Sequence, residues 1–256
     1  MIITKLQGGL GNQLFQWAAA ENLSIKHQCD IFFDKSYFES SSNGLVTRWN
    51  YELDKFDNLN IHEPKEFNLN RIYDNFTFKE IPNHSYLDGY WQSEKYFIEN
   101  EKAIKNKLKI NDTLKNNIYK KYPILQENTV SLHIRRGDYL NIQDHHPIQT
   151  IEYYTNCIEG LDEKNINIII FSNDIDWCIN NLKYKNLTYA VNNTNIEDLY
   201  AMSLCSHNII ANSSFSWWGA WLNNNKNKKV FAPKKWFGPS CGLSDSDIIP
   251  KNWIKI

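Results

Sequence analysis

The stretch Val130-Ser-Leu-His-Ile-Arg-Arg-Gly-Asp-Tyr139 runs an apolar strand directly into two arginines, an aspartate and a glycine bend. Alternation along a strand sends His133 and Arg135 to one face and Arg136 to the other. A guanidinium stays charged at any working pH, and its planar fork binds phosphate or carboxylate through two donors. We therefore predict that Arg135 faces an anionic ligand and that Arg136 pairs with an acid of the scaffold. An ion pair between this strand end and Asp138 is the purely structural alternative.

The second half of the chain alternates apolar strands with helical segments. Strands are predicted over residues 130–134, 166–171, 187–191, 207–211 and 230–232, and helices are predicted to begin near Ile151, Asp174, Asn195 and Ser213. Such alternation, with strands that are apolar throughout, predicts an α/β fold whose parallel sheet is covered on both faces. Ligands bind sheets of this kind at the carboxyl ends of the strands.

Three polar stretches fall at those carboxyl ends, namely residues 133–138, 172–174 and 212–215. Ser213 and Ser214 put hydroxyls and backbone amides at the positive end of a helix, which is a ready phosphate site. An ordinary N-cap is the alternative for these serines. The tryptophans that follow, at 217, 218 and 221, are predicted to pack in the core.

The chain opens with a strand over residues 2–6, the glycine-rich turn Gln7-Gly-Gly-Leu-Gly-Asn-Gln13, a helix over 14–25 and a strand over 30–34. Leu14 stands where a dinucleotide-binding turn has its third glycine, and the Lys-Ser/Thr pair of a P-loop is missing. What remains is a tight loop that delivers backbone amides and the Asn12 amide to a helix N-terminus, which favours an anion or a polar sugar. A plain strand–helix turn, with Asn12 and Gln13 as capping residues, is the alternative.

The remainder of the first half is less regular. Residues 36–83 are polar and dotted with aromatics, and we predict loops and short helices there. A strand end at Gly89, a helix capped at Ser93 and a Lys-rich helix from about residue 99 to 121 are predicted to follow. Pro123 then marks a boundary, so we predict two domains, 1–125 and 126–256.

Composition excludes several classes of function. The formal net charge of −1 provides no basic field for binding nucleic acid. Five scattered cysteines, none in C-x-x-C spacing, fit free thiols in a reducing compartment better than disulfides or a zinc site. No signal peptide is evident and no segment approaches 18 uninterrupted apolar residues, so we expect a cytoplasmic protein without a transmembrane helix.

Two D-x-D patterns bear on metal binding. Asp174-Ile-Asp176 follows a predicted strand, and Asp245-Ser-Asp247 lies near the end of the sequence. This pattern is typical of glycosyltransferases that hold Mn²⁺ or Mg²⁺, but so short a motif is weak evidence. A carboxylate at a strand end also suits the N1–H and exocyclic amine of guanine. Capping of the next helix is the structural alternative.

Together these pieces resemble the α-1,2-fucosyltransferases, a family of inverting enzymes that use GDP-fucose (glycosyltransferase family 11). The motifs that carry the resemblance are Gly8-Gly-Leu-Gly-Asn-Gln-Leu-Phe-Gln16, Gly89-Tyr-Trp-Gln-Ser-Glu-Lys-Tyr-Phe97, His133-Ile-Arg-Arg-Gly-Asp-Tyr139, Phe171-Ser-Asn-Asp174 and Asn212-Ser-Ser-Phe-Ser-Trp-Trp-Gly-Ala-Trp-Leu222. They span residues 8 to 222 in the family's order. Trp17 and Asn173 depart from the pattern, because the family often has Tyr and Asp there.

The resemblance implies a GT-B-like fold, with two Rossmann-like domains and the active site in the cleft between them. The N-terminal domain would bind the acceptor and the C-terminal domain GDP-fucose. The implied reaction moves L-fucose from GDP-β-L-fucose to O2 of a terminal galactose of an oligosaccharide, with inversion and with no metal or other cofactor. Where that acceptor is lipid-linked, the enzyme would lie at the membrane periphery.

The resemblance also implies roles for individual residues. Arg135 would hold the β-phosphate, with His133 nearby and backbone amides of Ser213, Ser214 and Phe215 assisting. Asn173 and Asp174 would face guanine or ribose, and Arg136 belongs to the same donor-binding set. The loop at 9–13 would meet the fucose and pyrophosphate through Gly9, Leu10, Gly11, Asn12 and Gln13. Asp138 and His133 are both candidates for the general base, and the choice stays open.

Two other readings are compatible with the sequence. A metal-dependent GT-A-type glycosyltransferase would use Asp174 and Asp176 and would lose activity in EDTA. A non-catalytic protein that binds sugar nucleotides or glycans would show neither transfer nor hydrolysis. For the fucosyltransferase reading, acceptor recognition is expected in residues 36–83 together with Tyr90 and Trp91, whose rings could stack on sugars.

Overall fold

The computed structural model describes residues 1–39, 49–65, 68–163 and 165–256, which form two compact units. The first unit contains Met1–Lys109 and Leu243–Pro250, and the second contains Ile110–Gly242 and Lys251–Ile256. The sequence placed the division after residue 125. In the structure residues 110–125 lie in the second unit, and a short C-terminal segment returns to the first.

A four-stranded parallel sheet forms the centre of the first unit. Its strands are β1 (Ile2–Lys5), β2 (Ile31–Asp34), β3 (Asn70–Tyr73) and β4 (Ser85–Asp88), in the order β2-β1-β4-β3. Ile2 and Ile3 of β1 are fully buried, because this central strand has a neighbour on each side. β3 lies in the region predicted as loops and short helices, so that prediction was wrong for it, whereas β4 ends one residue before the strand end predicted at Gly89.

The helices of the first unit are α1 (Leu10–His27), α2 (Ser36–Glu39) and α3 (Glu101–Lys107). α1 begins four residues earlier than predicted, since the glycine-rich turn ends at Gly9, which is the N-cap. At its other end Gln28 adopts a left-handed conformation and its amide donates to the Ser24 carbonyl. The Lys-rich helix predicted from 99 to 121 is interrupted between α3 and the next helix.

The second unit is built on a six-stranded parallel sheet. Its strands are β5 (Thr129–Ile134), β6 (Asn167–Ser172), β7 (Leu187–Tyr189), β8 (His207–Ile209), β9 (Val230–Ala232) and β10 (Ile254–Lys255), in the order β10-β9-β8-β5-β6-β7. β5 is buried along its whole length between β6 and β8. The five predicted strands are confirmed within a residue or two at most ends.

Five helices accompany this sheet: α4 (Asp112–Lys121), α5 (Ile151–Glu159), α6 (Ile175–Asn181), α7 (Asn195–Ser203) and α8 (Ser214–Leu222). Side chains of Thr150, Asp174 and Thr194 accept backbone amides at the starts of α5, α6 and α7. These caps explain why the helices begin where the sequence predicted.

The tryptophans of α8 form a cluster in the core of the second unit. Trp217, Trp218 and Trp221 are at most 4% exposed, and the rings of Trp217 and Trp221 stack 6.1 Å apart. Core packing, as predicted for them, is confirmed. The five cysteines all lie in the described part of the chain and none is in a disulfide, also as predicted. None of the helices in the described part of the chain has the length and apolarity needed to cross a bilayer.

Candidate functional site

The carboxyl end of β5 delivers a concentrated group of polar side chains. His133 and Ile134 are the last residues of the strand, and a 3₁₀ turn over Gly137–Asn141 follows. Between strand and turn stand Arg135 and Arg136, both partly buried. Because β6 and β8 run parallel on either side, their following loops end at the same edge of the sheet.

Arg135 is held within its own loop and retains access to solvent. Its Nη2 donates to Oδ1 of Asp138 at 2.7 Å, and its guanidinium carbon lies 5.1 Å from the centre of the Tyr139 ring. The side chain is 18% exposed. The predicted ion pair with Asp138 is therefore present, and it leaves the cation reachable by an anion from outside.

Arg136 points to different partners, as strand alternation predicts. Its Nε donates to Oδ2 of Asp174 at 3.0 Å, and its guanidinium stacks 4.1 Å above the Trp177 ring. The backbone amide of Arg136 donates to Oδ1 of Asn173 at 2.9 Å. This is the pairing with a scaffold acid predicted for Arg136, and it joins the loop after β5 to the loop after β6.

Asp174 serves two structural functions at once. Its Oδ1 accepts the Trp177 amide at the start of α6, while Oδ2 accepts from Arg136. Helix capping, the structural alternative, is thus realised. A contact with guanine through Asp174 or Asn173 stays a prediction, and it would have to use the remaining lone pairs of carboxylate and amide oxygens that already accept.

His133 is a neutral, buried imidazole at this edge. Burial, with a further contribution from the charge of Arg135, lowers its pKa to about 3. Its Nδ1 is buried and has no hydrogen-bond partner among the described residues. The ring lies 6.0 Å from that of Phe215. At neutral pH His133 therefore carries no charge for an anion, and it would be a weak base.

The start of α8 offers backbone donors beside β5. Ser213 is the N-cap, yet its side chain makes no capping hydrogen bond, so the ordinary N-cap alternative is not observed. The first amides of a helix have no carbonyl four residues back to bind. Those of Ser214 and Phe215 therefore sit at the positive end of the helix dipole, where an anion is stabilised.

Sequence reasoning missed the residues that hold this region in place. Asn212 accepts the Gln149 amide on Oδ1 at 3.2 Å and donates from Nδ2 to the Trp236 carbonyl at 3.0 Å. Tyr139 donates its hydroxyl to the Asn212 carbonyl at 3.3 Å. The position of Asn212 just before two serines was a usable signal, whereas nothing in the sequence identified Gln149 or Trp236 as partners.

The glycine-rich loop of the first unit uses its glutamine internally. Nε2 of Gln13 donates to the carbonyls of Gly8 and Asn50, and Oε1 accepts the Glu52 amide, all within 2.8–2.9 Å. The side chain is fully buried. Gln13 therefore anchors a neighbouring segment, and any contact with a ligand through its side chain would have to displace these bonds.

Other members of the same loop differ in exposure. Leu10 and Gly11 are buried, whereas Gly9 and Asn12 are partly exposed. Asn12 accepts the Gln92 amide on Oδ1 at 2.7 Å, and this leaves its own amide donors facing away from that bond. The structure thus leaves Gly9 and Asn12 as the loop residues that a ligand could reach.

The aromatic residues expected to stack on sugars are not equally available. Trp91 is fully buried and packs edge-on against Tyr96 at 5.3 Å, so its ring is closed to a sugar and that prediction was wrong. Tyr90 is partly exposed. Of the predicted acceptor region 36–83, residues 40–48 and 66–67 lie outside the described residues.

The two D-x-D patterns are engaged elsewhere in the fold. Asp174 caps α6 and pairs with Arg136, while Asp247 accepts the Phe78 amide and pairs with Lys95. Among the residues that the structure describes, no three His, Cys, Asp or Glu side chains are grouped so that they could hold a metal ion.

Comparison with known proteins identifies relatives of this chain. The model of glycosyl transferase family 11 matches residues 5–256. The O-antigen biosynthesis glycosyltransferase WbnK of Escherichia coli is 33% identical and the alignment covers 98% of this chain and 99% of the relative. An α-1,2-colitosyltransferase of Escherichia coli is 31% identical over 100% and 99% of the two chains.

A solved structure shows the same fold. The α-1,6-fucosyltransferase NodZ from Bradyrhizobium, co-crystallised with GDP, has a TM-score of 0.50 at 12% identity, covering 85% of this chain and 90% of that one. At that identity the likeness concerns the fold alone, and with the two parallel sheets it confirms the predicted GT-B-like α/β class. The match over nearly the whole sequence shows that this chain belongs to glycosyl transferase family 11.

Proposed function

We propose that this glycosyltransferase moves L-fucose from GDP-β-L-fucose to O2 of a terminal galactose of an oligosaccharide, with inversion and without a metal. The observation that carries the proposal is the partly exposed guanidinium of Arg135 at the strand end that adjoins the start of α8. An α-1,2-linking relative and a GDP-bound fucosyltransferase of the same fold support the linkage and the nucleotide.

The chemistry proposed for this edge is stabilisation of the leaving group. As the bond from C1 of fucose to GDP breaks, negative charge grows on the β-phosphate. In our proposal Arg135 and the amides of Ser214 and Phe215, at the neighbouring strand end and helix start, stabilise that charge as preorganised donors. The Ser213 amide already donates to the Ala211 carbonyl at 2.8 Å and would join them only by releasing that bond. Asp138 fixes the guanidinium through its 2.7 Å ion pair and so limits the rotamers that Arg135 can adopt.

The nucleoside is proposed to lie against the loop after β6. Asn173, Asp174 and Arg136 form a linked set there, and the stacked pair of Arg136 and Trp177 gives it a rigid floor. In this proposal Asp174 accepts from the Watson–Crick edge of guanine while it keeps its bond to Arg136. Adenine offers that edge one donor beside an acceptor, and binding therefore favours GDP over ADP.

The proton of the acceptor hydroxyl goes to Asp138 in our proposal, with His133 as the second candidate. Asp138 has a second carboxylate oxygen beyond the one bonded to Arg135, and its side chain is 30% exposed. His133 is buried and its low pKa makes it a weak acceptor. An oxocarbenium-like transition state needs little assistance from a base in either case.

The first unit is proposed to serve the sugars. Gly9 and Asn12 are proposed to contact the fucosyl group and pyrophosphate. Leu10, Gly11 and Gln13 hold this loop in shape. Tyr90 and residues 36–83 recognise the acceptor galactoside. The enzyme is proposed to act in the cytoplasm, at the membrane periphery where the acceptor is lipid-linked, and to have no nucleic-acid partner.

Colitose is the second donor to consider, because one relative with end-to-end coverage is named as a colitosyltransferase. Colitose is fucose without its 3-hydroxyl, and both sugars would leave from C1 in the same way. A site built to hydrogen-bond the 3-hydroxyl rejects the deoxy sugar strongly, whereas a site without that bond accepts both.

The test is transfer to a panel of galactose-terminated acceptors, with the linkage determined by NMR. GDP-fucose and GDP-colitose are offered separately at equal concentration. We expect an α-linked fucoside at O2 of galactose and a lower kcat/KM with GDP-colitose. A β-linked product, a different acceptor position, or nucleotide binding with neither transfer nor hydrolysis would contradict the proposal.

A further inference from the structure

An aromatic stack lies beneath the cation of Arg135. The Tyr139 ring, 5.1 Å from the guanidinium carbon, is nearly parallel to the His146 ring, with centroids 4.8 Å apart and planes inclined by 16°. Phe237 also packs against His146, with the centroids of the two rings 5.9 Å apart. We call these three aromatic residues the arginine platform. None of them belongs to the set predicted from the sequence.

The arginine platform is bonded to the start of α8 as well as to Arg135. The Tyr139 hydroxyl donates to the carbonyl of Asn212, and the next residue is the N-cap Ser213. Asn212 is itself fixed from two further sides, by Gln149 and by the Trp236 carbonyl. One side chain thus contacts both the guanidinium and the segment that carries the helix amides.

Backbone contacts fix the loops that carry His146 and Phe237 of the arginine platform. The Gly238 amide donates to the His145 carbonyl at 2.9 Å, and the Ser240 amide donates to the Asp144 carbonyl at 3.1 Å. A Cβ at Gly238 would lie 2.1 Å from the Asp144 carbonyl oxygen, so only glycine allows this approach. The loops that carry His146 and Phe237 are therefore joined and cannot shift independently.

The electrostatics suit a support for a cation. Burial, together with the charges of His145 and Arg135, lowers the pKa of His146 to about 4, although Asp138 acts in the opposite direction. Burial raises the pKa of Tyr139 to about 12. At neutral pH the imidazole is uncharged and does not repel Arg135, while the phenol keeps the proton that it donates to Asn212. An aromatic face also attracts a guanidinium.

We propose that Tyr139 and His146 are positioning residues that set the spacing between the Arg135 fork and the amides at the start of α8. This inference rests on the proposed function, in which those two groups bind one diphosphate. Donors act on developing charge only when they are held at hydrogen-bond distance, and a misplacement of about 1 Å can cost on the order of 10²-fold in rate.

The experiment compares a truncation with a conservative replacement at each position. His146→Ala removes a layer, and His146→Phe keeps a flat ring; Tyr139→Leu removes ring and hydroxyl, and Tyr139→Phe removes the hydroxyl only. Tyr184→Phe is the control, since it loses a 2.6 Å bond to Thr155 at a partly buried site elsewhere in the second unit. Each variant is measured for kcat, donor KM, acceptor KM, GDP affinity by calorimetry, and thermal midpoint.

We expect His146→Ala and Tyr139→Leu to lower kcat by about tenfold or more and to weaken GDP binding, with acceptor KM unchanged. His146→Phe should restore kcat to within about threefold of wild type, with Tyr139→Phe in between. Tyr184→Phe should leave kcat unchanged. A merely structural role would instead lower the thermal midpoint with kcat and GDP affinity intact in the folded fraction.

The outcomes separate this inference from the proposed function. If wild type transfers fucose and His146→Ala keeps its kcat, or if His146→Phe fails to rescue while folded, the inference is overturned and the function stands. If wild type binds GDP but transfers no fucose, the function fails, and calorimetry on the same variants still decides the inference. If wild type binds no GDP, both are overturned.

Discussion

Two loops, one in each unit, follow a buried strand, and each contains a glycine with positive φ beside an asparagine side chain. Gly8 and Gly137 both have positive φ, +76° and +43°, and each lies against the side-chain amide of an asparagine. A Cβ would meet Nδ2 of Asn12 at 2.5 Å in the first loop and Nδ2 of Asn173 at 2.2 Å in the second. Glycine is therefore favoured by the backbone conformation in each loop, and any Cβ there would displace an asparagine amide.

Their chemistry differs despite this likeness. The first loop uses Gln13 to bind its own unit and has no charged side chain, so it offers a ligand mainly backbone and Asn12. The second loop presents Arg135 beside a helix start. The same kind of turn can therefore carry either uncharged groups or a cation. We expect the second loop to stabilise a leaving diphosphate.

Replacement of Arg135 tests that division most severely. Lysine keeps the charge but lacks the planar fork, so Arg135→Lys should lower turnover by on the order of 10²–10³-fold. Circular dichroism should show the fold intact, because the residue is partly exposed and not part of the core. Retention of more than half of wild-type turnover would remove Arg135 from the mechanism.

Arg136→Lys is the matched control at the neighbouring residue, which has different partners. Arg136 donates to Asp174 and stacks on Trp177. Loss of that hydrogen bond should reduce the free energy of unfolding by about 1.5–3 kcal/mol, the usual range for a hydrogen bond to a charged group. Urea unfolding measures that loss. A larger fall in kcat than in Arg135→Lys would reverse our assignment of the two arginines.

The two loop glycines can be compared with one in open space. Gly242 also has positive φ, +65°, but an added Cβ meets nothing within 4 Å. Gly242→Ala should therefore cost only backbone strain, about 1–3 kcal/mol of unfolding free energy. Gly8→Ala and Gly137→Ala add a steric clash and should cost more, by thermal or urea unfolding. An equal loss of unfolding free energy at all three positions would show that the asparagine side chains move aside readily.

A buried imidazole, His133, lies at the end of the strand that leads into the second loop, whereas the first loop contains no titratable side chain. The pKa of His133 is about 3 in the folded state and near 6.5 when unfolded. Between these values the unfolded chain binds a proton that the folded chain does not, so stability falls as pH decreases from about 6.5.

His133→Gln should flatten that pH dependence. Removing one such group reduces the slope between pH 4 and 6 by up to about 1.4 kcal/mol per pH unit. Asp198 acts in the opposite sense, since burial raises its folded pKa to about 6, but it is present in both proteins and cancels. Urea unfolding at pH 5 and pH 7 gives the comparison, and parallel curves would contradict a neutral buried His133.

Chelation should have the smallest effect of all. If Arg135 and the α8 amides provide the positive charge, dialysis against EDTA leaves transfer activity unchanged, and added Mn²⁺ or Mg²⁺ does not raise it. Activity assays before and after dialysis suffice. A strict requirement for either ion would favour the metal-dependent alternative that uses Asp174 and Asp176.

The sequence predicted the second unit better than the first for physical reasons. Long apolar strands such as Thr129–Ile134 and N-caps such as Asp174 have strong local signals, and both were identified. Strand alternation alone predicted different partners for Arg135 and Arg136, and the structure pairs them with Asp138 and Asp174. The family motifs then located the loops, because those residues are contiguous in sequence.

What could not be predicted depends on tertiary contacts or on short elements. Asn70–Tyr73 is an edge strand of four residues, mostly exposed, with no apolar run to identify it. Trp91 looked like a sugar-stacking residue until the fold buried it. Phe237 comes from a stretch remote from the arginine motif, and no spacing rule connects it or His146, which follows the motif in an irregular segment, to Tyr139.

The measurement that tests the central claim most directly is a calorimetric titration of GDP into Arg135→Lys and Asn12→Ala, with wild type alongside. Our account assigns the charged donor for the diphosphate to the second loop, whereas the first loop contacts the fucosyl group and reaches the pyrophosphate only through uncharged groups. It predicts a dissociation constant at least about tenfold weaker in Arg135→Lys and within about threefold of wild type in Asn12→Ala. The reverse order, or equal losses in both variants, would contradict it.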